Sequence, residues 1–284
     1  MSAIKRAARR LLHLPELWVH GAALRLRRGR YSNFDEERIL RELIEGLLPE
    51  GFDRTAVDLG AGDGVKGSNT YALFREGWAG LGVEGEARRA RRLAHTYRRF
   101  PRVAALHARV TPGNVVGLLK EHGVGREFGV LSLDIDSYDY WVLDAALKSF
   151  RPRVVVAEIN EKIPPPVRFR VRFDPDFRLQ QHFFGYSIAS LEDLCRRHDY
   201  ALVRLEYNNA FLAPCELPAV RPLGAEEAYR LGYLERPDRR ERFPSNRDME
   251  HLHSMTPEEI VRFLEDFYAR HRGKYELSPR EPVA

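Results

Sequence analysis

The chain has little cysteine: among 284 residues there are two, Cys195 and Cys215. Two lone cysteines make neither a disulfide framework nor a zinc site, so an intracellular, reducing setting is the expectation. Long apolar runs are also missing. No stretch approaches the roughly 18 apolar residues that a membrane-spanning helix needs. Near the N-terminus the apolar positions are interrupted by His13, Pro15, Glu16 and His20, which leaves no signal-peptide core and points to the cytoplasm. Lysine is scarce, only six of the 46 basic residues. That bias reads as composition, and the run Arg88, Arg89, Arg91, Arg92 is expected to be a solvated helix face. An evenly basic surface is absent too. Residues 1–30 carry eight Lys/Arg against Glu16 alone, a local +7 in a chain of net +5, so the other 254 residues carry −2. The body therefore lacks the broad basic face of a nucleic-acid enzyme, and nucleic acid is not an expected partner.

What is present is an alternation of short apolar runs and helical segments. Residues 4–30 read as one or two basic amphipathic helices, and a further helix is predicted from about Asp35 to Leu48, with acids in its first turn. From Thr55 onward, strands are predicted at 55–59, 79–83, 103–107, 129–134 and 153–158. Helices are predicted near 69–77, 86–99, 112–122 and 138–149, the third opening at Thr111-Pro112. Val- and Leu-rich strands alternating with helices predict an α/β fold with a parallel sheet covered on both faces. Residues 161–188, with Pro164, Pro165, Pro166 and Pro175, read as a long, mostly irregular insertion of functional type. A helix follows from near Ser190, and two apolar runs around Tyr207-Asn208-Asn209 signal a hairpin. The tail reads as polar and helical, its best helix opening with the capping box of Thr256-Pro257-Glu258-Glu259 and stopping at Gly273. This divides the chain into an N-terminal helical extension (1–50), a core with its insertion (51–215) and a C-terminal helical extension (216–284).

The first strand runs into VDLGAGDGVKG. Glycines at 60, 62, 64 and 67 let the backbone turn sharply and bring its N–H groups against a ligand at the strand's end. A nucleotide-type cofactor is the expected guest. Gly62, Gly64 and Gly67 also satisfy the dinucleotide pattern G-x-G-x-x-G, with Glu84 about twenty residues on, so an NAD-dependent enzyme is an alternative.

Asp58, two residues before Gly60, favours a different cofactor. VDLGAGDG resembles the first motif of class I S-adenosylmethionine-dependent methyltransferases. The strand–helix order and the hairpin resemble their Rossmann-like, mostly parallel seven-stranded sheet with its terminal antiparallel hairpin, over roughly residues 52–214. The resemblance implies that Gly60, Gly62 and Gly64 cradle the cofactor and that Asp58 orients the loop and approaches the methionine amino group. It implies that Glu84 accepts hydrogen bonds from the ribose hydroxyls, two acceptor oxygens for two vicinal donors. The adenine site falls around His107, Ala108 and Arg109.

Two strand ends carry acids. The fourth ends Asp134-Ile135-Asp136 and the fifth Glu158-Ile159-Asn160, each with two oxygen-bearing side chains on one face. In the resembled fold these strands are neighbours. Crowded carboxylates raise one another's pKa, and an oxygen-only set suits Mg²⁺, Mn²⁺ or Ca²⁺. Metal-dependent O-methyltransferases are similar here, with an Asp after the fourth strand and an Asp-Asn pair after the fifth. The candidate ligands are Asp134, Asp136, Glu158 and Asn160, and Asp134 also borders the cofactor. Helix capping by Asp136 or Ser137 and pairing of Glu158 with an arginine is the metal-free alternative. LSLDIDSYDYW and RPRVVVAEIN also resemble FkbM-type and related sugar or natural-product methyltransferases.

The function implied is divalent-metal-assisted O-methylation of a small hydroxylated acceptor, a sugar or secondary metabolite. Candidate bases are Asp136, Asp139 and His182. Tyr138, Tyr140, Trp141, Phe183, Phe184 and Tyr186 are candidates for an aromatic pocket wall. A metal-independent methyltransferase is one alternative. Another is a non-catalytic scaffold that binds RNA or an anionic membrane through residues 1–30, although helical packing is the first reading of that segment. The helical extensions are also candidates for a lid or a homo-oligomer interface.

Overall fold

The computed structural model describes residues 30–280, and the basic helices expected over 4–30 lie outside the described residues. The first described helix, α1 (Glu36–Leu47), buries Ile39 and Leu40 and fulfils the expectation for 35–48. Then come β1 (Thr55–Leu59), α2 (Tyr71–Arg75), β2 (Ala79–Glu84), α3 (Ala87–Tyr97), β3 (Val103–His107) and α4 (Val115–Glu121). The alternation continues through β4 (Glu127–Leu133), α5 (Asp139–Leu147), β5 (Arg151–Glu158), the short β6 (Arg168–Val171) and α6 (Ile188–Arg197), and the hairpin is β7 (Tyr200–Glu206) with β8 (Asn209–Pro214).

Seven strands form one sheet in the order β3-β2-β1-β4-β5-β8-β7. β1 pairs in parallel with both β2 and β4, β4 in parallel with β5, and β8 runs antiparallel to β5 and β7. This is the Rossmann-like sheet of the class I methyltransferase fold, with the expected hairpin at its edge. Strands such as VVVA of β5 are continuously apolar because helices cover both faces. On one face Val115, Leu119, Val142, Leu143 and Leu191 pack against the sheet. On the other, Ile39, Leu40, Leu73, Phe74, Leu93 and Tyr97 do so.

Chain order reverses between β1 and β4, so their carboxyl ends part and leave a crevice, the place where open α/β sheets bind ligands. The strands stay joined at its floor, where the Asp134 N–H donates to the Leu59 carbonyl at 2.9 Å.

Three sequence expectations are corrected. The helix predicted from Pro112 begins at Val115, because Asn114 first folds the chain into a turn whose side-chain oxygen accepts from the Thr111 N–H at 2.7 Å. The insertion is mostly irregular, as expected, but for one short strand. Its β6 pairs antiparallel with β9 (Tyr275–Ser278), a strand in the tail expected to be helical. The remaining tail holds α7 (Ala225–Tyr229), α8 (Arg239–Arg242) and α9 (Pro257–Phe267), with π- and 3₁₀-helical turns between them. α9 has the predicted reciprocal cap between Thr256 and Glu259, but it ends at Phe267, before Gly273. Ile163, Val167, Phe169 and Phe183 of the insertion share a separate small core with Met249, Leu252, Leu264 and Tyr268 of the tail.

Candidate active site at the carboxyl ends of the strands

A cavity of about 960 Å³ opens at the crevice between β1 and β4. Its first wall is the loop after β1. Gly60, at φ +94°, donates its N–H to the Val83 carbonyl at 2.9 Å, and a Cβ there would lie 1.6 Å from the Asp134 carbonyl oxygen. Only glycine permits this close approach of the two strand ends. Gly62, at φ +58°, has no atom within 4 Å of where its Cβ would be, so that side of the loop is open. Gly60, Gly62 and Asp58 line the cavity, as expected from the sequence. Gly64 does not: the space its Cβ would take is filled by Tyr97 and Leu93, at 2.7 and 2.8 Å. A side chain at residue 64 would therefore push the loop off α3.

Asp58 is buried and accepts from the hydroxyls of Thr70 at 2.6 Å and Ser68 at 3.4 Å. Burial pushes its pKa up to about 6, those two hydroxyl bonds oppose the rise, and the nearby Glu84 charge adds to it. Glu84, at the end of β2, is buried and lines the same cavity. One carboxylate oxygen accepts the Gly62 N–H at 2.9 Å and the other the Glu86 N–H at 2.6 Å. Each oxygen keeps a lone pair for a further donor.

Asp134 and Asp136 make a second, acidic part of the lining, and Glu158 stands with them. Asp134, Asp136 and Glu158 each bring a carboxylate oxygen within 4.8 Å of the others. Asp134 lines the cavity and keeps an exposed surface there, with protein packed around the rest of it. Loss of bulk water around it, then the charges of Asp136 and Asp139, raise its pKa to about 7. Glu158 is raised well above the usual carboxylate range by burial and by Asp134 and Asp136. Asp136 is also raised by burial, against the opposing pull of Arg89 and Lys162. Its backbone is left-handed, at φ +55°, a conformation Asp tolerates better than most residues.

Other expected residues stand elsewhere. Asp139 is buried, and its two oxygens accept the N–H groups of Ile135 and Ser137, each at 2.8 Å. It holds the turn between β4 and α5 and is not placed as a base. His182 is buried away from the cavity, with Nε2 3.1 Å from an oxygen of Asp248 in the tail, so it too is corrected. Asn160 is fully buried. Its amide donates to the carbonyls of His182 and Phe184, at 2.9 and 3.0 Å, while its Oδ1 has no partner. Of the proposed aromatic wall only Tyr138 lines the cavity, whereas Tyr140, Phe183 and Tyr186 are core residues. Of the expected adenine-site residues, Ala108 and Arg109 line the cavity.

The sequence reading missed Asn33, Ser68, Asn69, Phe177 and Leu179, all in the lining. Ser68 and Asn69 carried a signal in the polar SNT that ends the glycine loop. Arg89 and Arg92, expected as a solvated face, line the cavity as well.

The donor chemistry fits two groups. The glycine cradle with Glu84 beside it fits an adenosyl cofactor bearing a ribose diol. The three carboxylates, with the unpaired Asn160 oxygen nearby in sequence, fit a hard divalent cation. Among the described residues, no helix is long and apolar enough to cross a membrane.

No family model and no curated protein sequence matches the chain. Among solved structures it is similar to an O-methyltransferase from Bacillus cereus in complex with SAH, at 16% identity and TM-score 0.41 over 70% of this chain and 89% of that one. It is similar to an S-adenosylmethionine-dependent methyltransferase from Clostridium acetobutylicum, at 12% identity and TM-score 0.41 over 75% and 99%. It is also similar to the magnesium protoporphyrin IX methyltransferase of Synechocystis, at 11% identity and TM-score 0.37 over 62% and 76%. The fold assignment rests on the strand order itself.

Proposed function

We propose that the chain is an S-adenosylmethionine-dependent methyltransferase that methylates an oxygen of a small hydroxylated acceptor with the help of a divalent cation. The observation that carries the proposal is the joining of Gly62 to Glu84 in the lining of a cavity that also holds Asp134 and Asp136, with Glu158 beside them. One part of the lining suits an adenosyl group, and the acidic part suits a hydroxyl that must lose its proton.

The bound cofactor supplies an electrophilic methyl group. A cation among the three carboxylates supplies positive charge that lowers the pKa of a nearby hydroxyl. The remaining work falls to the chain. Glu84 receives the ribose hydroxyls, and the open side of Gly62 lets the cofactor lie close to the backbone. Positioning supplies much of the rate in a displacement of this kind. Without a cation, the raised pKa of Asp134, about 7, would suit it to accept a proton at neutral pH; a bound cation would hold it ionised as a ligand. The cavity exceeds what a cofactor alone requires, and Tyr138, Phe177 and Leu179 offer an apolar wall to an acceptor of modest size.

A dinucleotide fits less well. The dinucleotide pattern needs its second glycine open to the pyrophosphate and a helix starting at once behind it. Here Gly64 faces Tyr97 and Leu93, the Gly67 N–H is taken by the Tyr31 carbonyl, and α2 starts only at Tyr71.

Calorimetry with S-adenosylhomocysteine tests the cofactor: the wild-type protein is expected to release heat and Gly62→Arg, which fills the open side of the loop, none. Silence from the wild type with both that ligand and S-adenosylmethionine removes the proposal. A screen of hydroxylated metabolites with labelled cofactor, with and without chelator, tests the acceptor and the cation separately.

A further inference from the structure

Glu158 ends β5 and, among the described residues, makes no salt bridge. Its side chain shares a hydrogen bond with Asp134 inside the cluster, and from outside the cluster a neutral group reaches it: Asn208 Nδ2 donates to Glu158 Oε1 at 2.7 Å. Asn208 sits in the turn of the β7–β8 hairpin, and its carbonyl accepts the Ile159 N–H at 2.8 Å. The turn is thus fastened to the end of β5 on both sides of the Glu158 carboxylate.

The choice of an amide matters. An arginine or lysine at this place would neutralise Glu158 and compete with a cation. An amide N–H orients one oxygen without bringing a positive charge of its own, and the carboxylate still meets Asp134. Asn208 Oδ1 is buried and has no partner, as is Asn160 Oδ1 two residues beyond Glu158. Buried polar atoms are rarely left so, and the Asn208 oxygen, on the amide that meets Glu158, is one that water or an ion can complete.

The turn is itself held firmly. Asn209 Nδ2 donates to the buried Glu36 at 2.9 Å, and the Tyr207 hydroxyl donates to Asp238 at 2.6 Å. A group that aims a ligand has to be fixed in this way, since a carboxylate free to rotate loses part of its affinity to disorder.

We infer that Asn208 is a positioning residue that aims Glu158 into the carboxylate cluster. The inference rests on the cation reading proposed above and assigns the β7–β8 turn a role in it.

The test is a titration of the full chain with Mn²⁺, followed by electron paramagnetic resonance, in the presence of saturating S-adenosylhomocysteine. Asn208→Ala is expected to weaken Mn²⁺ binding by about 10–100-fold, the usual effect of losing a group that orients a ligand. Its calorimetric affinity for S-adenosylhomocysteine should not change. Tyr200→Phe is the control for general loosening, since it removes a 2.8 Å bond to the Pro152 carbonyl at the far end of the same hairpin. It should lower Tm and leave Mn²⁺ affinity alone. Should Asn208→Ala not fold, Asn208→Ser takes its place in the same titration.

Unchanged Mn²⁺ affinity in the Asn208 variant overturns the inference and leaves the cation reading standing. Equal weakening in both variants, or joint loss of Mn²⁺ and S-adenosylhomocysteine binding, overturns it in favour of a purely structural turn. Failure of the wild type to bind Mn²⁺ overturns the cation reading and this inference with it.

Discussion

The Gly62 N–H donates to the Glu84 carboxylate at 2.9 Å, which ties the loop after β1 to the end of β2. The loop and the acid meant for the ribose are therefore one unit. Glutamine is a poor substitute at residue 84, because two backbone N–H groups point at its carboxylate and an amide has a single acceptor oxygen. Glu84→Gln is expected to weaken S-adenosylhomocysteine binding by about 10–100-fold, which corresponds to one charge-assisted hydrogen bond. Calorimetry measures it, and an unchanged affinity would place the ribose elsewhere.

The glycines separate by what surrounds them. At Gly60 a Cβ would collide with the Asp134 carbonyl at 1.6 Å, and the only relief is to move β1 and β4 apart. Gly60→Ala should abolish S-adenosylhomocysteine binding and lower Tm sharply. Gly77 also has a positive φ, of +86°, but nothing lies within 4 Å of its Cβ position. Gly77→Ala therefore pays only backbone strain, about 1–3 kcal/mol, and keeps its ligand affinity. Equal losses in the two variants would refute the steric argument at Gly60.

Much of this was legible because buried parallel strands write themselves as apolar runs bounded by glycine. VDLG and LSLD read directly as strand ends that open on a crevice. The pairing of β6 with β9 was not legible. RFRV and YELS are four-residue alternations about a hundred residues apart, and each looks like loop until the other covers it. His182 misled for a related reason. Its burial depends on Asp248, Phe267 and Tyr268 from the tail, which no local pattern announces. In the run Arg88–Arg92, arginines point around much of the helix, so only the fold decides that Arg89 and Arg92 face the cavity.

Acid sensitivity should concentrate at Asp144. Burial opposes its ionisation, but hydrogen bonds from Lys148, His198 and Arg197 outweigh that and hold its pKa at about 2, below the ordinary 3.8. A depressed carboxylate stabilises the fold above its unfolded pKa, and the contribution is lost as pH falls through the folded value. Asp144 thus contributes stability at neutral pH that fades between about pH 4 and pH 2. Thermal melts of wild type and Asp144→Asn should differ most near neutrality and converge in that window. Parallel curves down to the acid limit would exclude Asp144 as the source.

Asp134 and Asp139 should respond in opposite directions to removal of their charge. The Asp139 oxygens satisfy the N–H groups of Ile135 and Ser137 in a buried turn, so Asp139→Ala strands two donors at about 1–3 kcal/mol each. Its Tm should fall whether or not a cation is present. Asp134 faces two other carboxylates within 4.8 Å, and their repulsion is relieved when its charge goes. In chelator, Asp134→Asn should melt at or above the wild type. With Mg²⁺ added, the wild type should gain Tm, because a ligand that binds only the folded state stabilises it, and Asp134→Asn should gain little. A wild type indifferent to Mg²⁺ would leave Asp134 as a proton acceptor working without a metal. A fall in Asp134→Asn in chelator would mean that its carboxylate holds the fold as Asp139 does.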